Sequence, residues 1–258
     1  MNYIKKFNLK KKTIFVLGGS GLIGSEICKA LAQLDSKVVN IDKVNKNKDS
    51  NYKNDIFFYK MDVSNSNQIE KNYSKLIKKY GTPDVFINSS YPKTKDWNKN
   101  SFKSIKYSSF DKNIKIHLNT FSWLAKLVAE SMIKNKKSGS IIQLSSIYGI
   151  VGQNLEIYKG TKMSESMTYS IIKGGINNLT RQMASYYGKY NIRVNSLCAG
   201  GVFDHQNKLF LKNYKKIVPL RRLARSDEIA SVATFLSSDA ASYITGSMIM
   251  VDGGWTAI

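Results

Sequence analysis

Strand-length apolar runs alternate with amphipathic stretches along the chain, and this alternation constrains the fold more than any other feature. The periodicity indicates a strand at 13–19, a helix at 24–35 and a second strand at 37–42. The alternation continues with strands at 56–63, 84–90, 139–146, 192–200 and 247–254 and helices at 66–81, 111–135, 164–188 and 226–237. Such alternation is typical of parallel βαβ units, whose right-handed crossovers place helices on both faces of the sheet. We therefore predict one α/β domain over residues 1–258 with a doubly wound, mostly parallel sheet.

The composition suits a globular domain and argues against several classes of function. Of the 258 residues, 42% are hydrophobic, yet no apolar run approaches the roughly 20 residues of a membrane span. The net charge of +22 invites a nucleic-acid interpretation, but the 35 lysines are scattered along the chain rather than gathered on one element, so neither nucleic acid nor membrane is an expected partner. The basic start lacks the long apolar segment of a signal peptide, so we expect a cytoplasmic protein with reduced cysteines. Two cysteines and two histidines form no metal-ligand spacing, and no metal is expected.

A glycine-rich turn joins the first predicted strand to the first predicted helix. In "LGGSGLIG" (17–24), Gly18 would permit the turn, Gly21 the close approach of a pyrophosphate, and Gly24 the packing of the helix on the strand. Backbone N–H groups at the start of the helix would then face the phosphates. The expected cofactor contacts in this turn are Gly18, Ser20, Gly21, Leu22, Ile23 and Gly24. The context of strand before and helix after makes a dinucleotide the predicted ligand.

Acidic and amide residues end the next strands. Asp42 stands 18 residues after Gly24, where a carboxylate binds both adenosine ribose hydroxyls and repels a 2′-phosphate. This favours NAD over NADP, although the neighbouring Lys43 weakens the preference. Asp62 and Val63 would cover the adenine edge, and an N-cap for the following helix is an equally good interpretation of Asp62. Asn88, which ends the fourth strand, would brace the sheet edge near the cofactor.

Three tyrosines have a lysine four residues later, and context must choose among them. Tyr91 is followed by a proline, and Tyr158 lies beside glycine and threonine that make a poor helix. Tyr169 and Lys173 begin the amphipathic helix "YSIIKGGINNLTRQMASYYG", in which positions four apart share one face. Tyr169 and Lys173 are therefore the predicted catalytic pair, with Tyr158 and Lys162 as the alternative.

Taken together, these motifs resemble those of the short-chain dehydrogenases/reductases, whose fold is a single Rossmann domain. The resemblance is carried by "GGSGLIG", "INSS", "IIQLSSIYG", "YSIIK", "IRVNSLCAG" and "SYITGSMIMVDGG". It implies that Tyr169 is the acid/base, that Lys173 binds the nicotinamide ribose and that Ser146, rather than Ser145, orients the reacting oxygen. It also implies that the Lys173 ammonium and the positive nicotinamide bring the pKa of Tyr169 down towards the working range. Gly200 and Val202 would lie on the nicotinamide side.

Departures from the family pattern narrow the resemblance. The usual Asn-Asn-Ala-Gly is "NSSY" (88–91), and His117 occupies the helix position of a family Asn. His117 could relay protons through water, or it could be a satisfied interior histidine. The 23 residues from Ser146 to Tyr169 exceed the family's usual dozen or so, and the insertion at about 150–165 is expected to form a loop over the site, unless it is a surface insertion only.

Within the family, "SSIYG", "EIYKGTKM" and "SSYP" resemble a subgroup linked to flagellin modification and to the biosynthesis of nonulosonic acids. This implies a carbohydrate substrate, whether free, phosphorylated or nucleotide-linked. The family resemblance implies a homodimer or homotetramer, and we expect the loop at 202–216 to form a mobile substrate lid. Candidate substrate contacts are Tyr91, Tyr148, Tyr158, Lys162 and Phe203. Two alternatives stay open: reduction of a 3-oxoacyl thioester or simple ketone, and a Rossmann-type binding or regulatory protein that has lost catalysis.

Overall fold

A parallel sheet forms the centre of the protein. The computed structural model describes residues 2–46 and 56–258, and these contain a seven-stranded, all-parallel sheet of order β3-β2-β1-β4-β5-β6-β7. The strands are β1 Thr13–Leu17, β2 Lys37–Asp42, β3 Ile56–Lys60, β4 Val85–Asn88, β5 Gly139–Ser146, β6 Ile192–Ala199 and β7 Met248–Val251. This confirms the predicted fold class.

Helices cover both faces of this sheet. The helices are α1 Tyr3–Lys6, α2 Leu22–Ala32, α3 Ile69–Tyr80, α4 Tyr107–Asn113, α5 Thr120–Lys134, α6 Met167–Tyr187, α7 Lys208–Ile217 and α8 Ser226–Ser237. On β1, Phe15 and Leu17 point into a core shared with α3, α5 and α6, whereas Ile14 and Val16 point into a second core shared with α2 and α8. Because both faces are buried, the strands read as continuous apolar runs rather than alternating ones.

The long helix expected at 111–135 is not one regular helix. It begins earlier, at Tyr107, and a π-helical segment, Ile114–Asn119, separates α4 from α5. Such single-turn π segments inside α-helices are frequent at functional sites. This one carries His117 towards the carboxyl edge of the sheet.

The stretch at 202–216, expected to be a mobile loop, contains α7. The helix begins at Lys208 because the side chain of Asn207 accepts hydrogen bonds from the backbone N–H groups of Leu209 and Phe210, at 2.8 and 3.4 Å. Phe210 and Tyr214, one turn apart, are buried against the core around Trp255. The four-residue apolar spacing indicates this helix, and the expectation of a loop was wrong from Lys208 onwards.

Candidate active site

The strand order reverses between β1 and β4, and a cavity opens there at the carboxyl ends of the strands. It has a volume of about 720 Å³ and is lined by residues that end or follow β1, β2, β4, β5 and β6. Open α/β sheets bind ligands at such a switch point. Across the described part of the chain, no three His, Cys, Asp or Glu side chains cluster in a way that could hold a metal ion.

The glycine turn has the shape of a phosphate cradle. Gly18 has a φ of +78°, and a Cβ there would lie 2.7 Å from the backbone of Ser90. A Cβ on Gly24 would collide with the carbonyl group of Gly18. Gly21 caps α2, whose first N–H groups face the cavity, and the six residues predicted from this turn all line it. The residues present therefore fit the pyrophosphate of a dinucleotide.

Asp42 lies at the end of β2, on the cavity wall. Its carboxylate accepts hydrogen bonds from the backbone N–H groups of Ser20, at 3.1 Å, and Lys43, at 2.7 Å. These bonds fix the carboxylate beside the glycine turn, where an adenosine ribose would lie. Lys43 and Lys46 line the same end of the cavity.

The remaining predicted cofactor residues lie close by. Asp62 and Val63 line the cavity, and Asp62 accepts hydrogen bonds from the backbone N–H and hydroxyl of Ser64, at 2.9 and 2.7 Å. Asp62 thus closes a tight turn but does not cap the following helix, because the N-cap positions of the 3-10 turn Ser66–Gln68 and of α3 are held by Asn65 and Gln68. Asn88 is fully buried, and its amide oxygen accepts from the N–H and hydroxyl of Ser90, which lines the cavity. Gly200 and Val202 line the far side.

Tyr169 and Lys173 meet at the mouth of the glycine turn. Ser146, which ends β5, lies beside the phenol of Tyr169, whereas Ser145 rather than Ser146 lines the cavity. Ser166 begins α6 by accepting a hydrogen bond from the N–H of Tyr169, at 3.3 Å, and the next turn places the Lys173 Nζ 5.6 Å from the centre of the Tyr169 ring. Lys173 is buried and donates to the carbonyl of Leu144, at 2.8 Å. Tyr169 and Lys173 both line the cavity.

The electrostatics of this pair differ from expectation. Burial raises the pKa of Tyr169, and a hydrogen bond with Ser146 opposes that rise. Burial also lowers the pKa of Lys173 to about 7. The expectation that Lys173 brings the pKa of Tyr169 down is wrong for the protein alone, because desolvation disfavours both charged forms.

The alternative Tyr158/Lys162 pair lies elsewhere. The Tyr158 hydroxyl donates to the Gln153 side chain, at 3.1 Å, and its ring packs on Phe210. Lys162 is exposed, and neither residue lines the cavity. The structure therefore brings Tyr169 and Lys173, but not Tyr158 and Lys162, to the dinucleotide cradle.

Comparisons with known proteins agree with this geometry. A family model described as enoyl-(acyl carrier protein) reductase matches residues 20–256. The structure of a short-chain dehydrogenase from Leptospira borgpetersenii with bound NAD⁺ superimposes with a TM-score of 0.87 at 27% identity, over 99% of this chain and 96% of that chain. The chain belongs to the short-chain dehydrogenase/reductase family.

As a member of this family, the protein is an NAD(P)-dependent dehydrogenase or reductase. Its relatives carry different names. Post-translational flagellin modification protein A of Campylobacter coli is 33% identical over 255 residues, which cover 96% of this chain and 99% of that protein. A 3-oxoacyl-[acyl-carrier-protein] reductase of Thermotoga maritima is 28% identical over 256 residues, which cover 95% and 98%. The resemblance to a flagellin-modification subgroup is confirmed.

Two departures of this dehydrogenase/reductase from the family pattern meet in the site. Tyr91 lines the cavity, with its ring edge-on to Tyr169 at 5.9 Å and to His117 at 5.3 Å between centroids. His117 is fully buried, and neither ring nitrogen has a hydrogen-bond partner among the described residues. Burial, and then the nearby Lys173, lower its pKa well below the ordinary value, so the ring is neutral. His117 is therefore not a satisfied interior histidine.

Trp97 is a site residue that sequence reasoning missed. Its ring lies edge-on to Tyr91 and to Tyr169, at 5.6 and 6.4 Å between centroids. It belongs to the segment between β4 and α4, which has no apolar periodicity. The rarity of tryptophan, of which the chain has three, was the one signal available.

The insertion at 150–165 is anchored to α6. Gln153 donates to the carbonyl of Ser166 and to the hydroxyl of Ser170, at 2.8 and 2.9 Å, and accepts from the N–H of Ser166 at 3.1 Å. A 3-10 turn, Leu155–Tyr158, packs Ile157 against α7. The insertion thus forms one unit with the first turn of α6.

Of the five predicted substrate contacts, Tyr91 lines the cavity, whereas Tyr148, Tyr158, Lys162 and Phe203 do not. Tyr148 lies between Tyr169 and Trp255, at 6.5 and 6.4 Å between ring centroids. The Phe203 ring is half exposed beside His205.

Among residues 2–46 and 56–258, no helix combines the length and apolar content that a membrane crossing requires.

Proposed function

We propose that this protein transfers hydride between NAD and a hydroxyl or ketone of a sugar derivative. The observation that carries the hydride-transfer chemistry is that Tyr169 and Lys173 line the cavity that begins at the glycine cradle, with Ser146 beside the phenol of Tyr169. The bound nicotinamide would supply the hydride acceptor or donor. The protein supplies position, charge and a proton path.

Each of the three side chains has a separate task. In the oxidation direction, Tyr169 accepts the proton of the substrate hydroxyl while the hydride leaves the same carbon; in reduction it returns that proton. Ser146 holds the reacting oxygen by a hydrogen bond. Lys173, when charged, favours the phenolate of Tyr169 and holds the ribose of the cofactor. His117, neutral and without a partner among the described residues, is in place to pass protons on from this pair.

NAD is the proposed cofactor because of Asp42. Its carboxylate is held at the adenosine end of the cavity by the N–H groups of Ser20 and Lys43. A 2′-phosphate at this place would meet that negative charge. Lys43 and Lys46 nearby are the groups that would soften the preference.

A carbohydrate substrate is supported by the relative from Campylobacter coli, whose name links it to flagellin modification. Reduction of a 3-oxoacyl thioester is the second candidate, since the relative from Thermotoga maritima is named as such a reductase. Assembly into dimers or tetramers, as the family resemblance implies, belongs to the same proposal.

A substrate screen distinguishes the two candidates. Oxidation of NADH is followed by its absorbance with keto-sugars, keto-sugar phosphates, nucleotide-linked keto-sugars and 3-oxoacyl thioesters, each repeated with NADPH. We expect turnover of a keto-sugar compound with NADH. A preference for the thioester with NADPH would establish the second candidate instead.

A further inference from the structure

Tyr91 places a large polar side chain where the family pattern has glycine. It lies three residues after the end of β4, on the cavity wall beside Tyr169. The side chain is 43% exposed, and a ligand that enters the open cavity would meet it.

The neighbours of Tyr91 leave its proton available. Trp97 packs edge-on against the ring. No described residue accepts the hydroxyl proton of Tyr91. Burial raises the pKa of the phenol, so it is a neutral group that can donate a hydrogen bond to a ligand in the cavity.

Two lysine side chains flank the ring of Tyr91. The Nζ of Lys93 lies 5.6 Å and that of Lys173 lies 6.0 Å from the ring centre. The Lys93 ammonium, and Lys173 when it is charged, are attracted to the ring face and restrain its orientation. With Trp97 and His117 at its edges, the ring is held on several sides.

We propose that Tyr91 donates a hydrogen bond to a second substrate oxygen, on the carbon next to the reacting carbon, and so selects α-hydroxy ketones and vicinal diols. This inference rests on the proposed function, in which Tyr169 handles the proton of the first oxygen. Tyr91 and Tyr169 both line the cavity with ring centres 5.9 Å apart, so a substrate held by Tyr169 would lie beside the phenol of Tyr91. A hydroxyl–hydroxyl hydrogen bond between the substrate and Tyr91 would span about 2.7 Å. A simple ketone would leave the phenol proton of Tyr91 unpaired, which costs binding energy.

The test compares 2-hydroxycyclohexanone with cyclohexanone, which differ by one neighbouring hydroxyl. Binding of each to the protein–NADH complex is measured by NADH fluorescence, and turnover by NADH absorbance. The wild type is expected to prefer 2-hydroxycyclohexanone in binding, and Tyr91→Phe is expected to lose that preference by about tenfold. Trp97→Ala should lose part of it, because the edge-on contact that helps to hold the Tyr91 ring is then absent.

Two controls separate this inference from the proposed function. Tyr107→Phe removes a phenol on α4 that is 82% exposed, and it should leave the preference unchanged. Tyr169→Phe should stop turnover but keep the binding preference, so surviving turnover would count against the proposed function alone. Equal binding or no binding of the two ketones by the wild type, or an equal loss for both in Tyr91→Phe, would overturn the role of Tyr91.

Discussion

The ring of Tyr91 meets the imidazole of His117 edge-on, with centroids 5.3 Å apart. In the family pattern these positions hold glycine and asparagine, and here both carry rings. The 26 positions between Tyr91 and His117 in the sequence do not predict this contact. Because the two side chains are in contact, we expect their contributions to the free energy of unfolding to be coupled.

A double-mutant cycle measures this coupling. We expect Tyr91→Ala and His117→Asn together to destabilise the protein by about 1 kcal/mol less than the sum of the single changes, since each single change already removes the ring contact. The free energy of unfolding in urea is the quantity to compare. Strict additivity would mean that the rings touch without stabilising each other.

His117→Phe separates a proton relay from packing. Both imidazole nitrogens are buried without a partner among the described residues, so an apolar ring should leave the melting temperature unchanged or higher. If His117 passes protons, turnover falls by about tenfold or more at the same time. Retained turnover in this variant would show that the ring only fills space, and His117→Gln, which keeps a polar group, serves as the comparison.

Tyr169→Phe should lower kcat by about 10²–10⁴-fold while NADH binding, followed by fluorescence titration, stays within about twofold. The phenol handles the proton, whereas the glycine cradle and Asp42 hold the cofactor. The matched control is Tyr158→Phe, whose hydroxyl is bonded to Gln153. If Tyr158→Phe is the inactive variant, the assignment of the acid/base moves to that tyrosine.

Asp42→Ala should reduce the preference for NAD over NADP by about tenfold or more, because the carboxylate both binds ribose hydroxyls and repels the 2′-phosphate. The ratio of kcat/KM for the two cofactors reports the change. Asp62→Ala is the control, since Asp62 lines the same cavity but is bonded to Ser64. A similar change of the ratio in both variants would argue against a specific role of Asp42.

Lys173 should make stability depend on pH in a defined direction. Burial lowers its pKa to about 7, so between about pH 7 and pH 10 the unfolded chain binds the proton that the folded protein has released. The contribution of this group to the free energy of unfolding therefore rises with pH over that window and is lost as pH falls towards 7. Relative to Lys173→Met, the wild type should gain about 2 kcal/mol between pH 7 and pH 9, measured by urea unfolding. A constant difference would show that Lys173 keeps its charge.

The sequence predicted those parts of the site that depend on local spacing. Gly18, Gly21 and Gly24 form the turn between β1 and α2, and the four-residue spacing of Tyr169 and Lys173 becomes one helical face. Each of these relationships spans a few residues, and backbone geometry alone fixes it.

Contacts between distant segments could not be read in the same way. Trp97 contacts Tyr169 because the segment after β4 folds back over α6. No periodicity in residues 89–106 predicts that fold of the chain. The direction of the pKa change of Tyr169 depends on how much of the chain surrounds the phenol, which is a property of the folded whole. By contrast, the spacing of Phe210 and Tyr214, one helical turn apart, is a local pattern that indicates α7.

The hydrogen bonds of Gln153 determine which part of the insertion can vary in sequence. Its side-chain amide clamps Ser166 and Ser170, so the position of the acid/base is fixed by chain on either side of the insertion rather than by the insertion's tip. The exposed stretch from Lys159 to Ser164 can accumulate substitutions, and even alter in length, while the reacting phenol stays where it is. Natural variation in this stretch can therefore change the surface beside the site without moving the group that handles the proton.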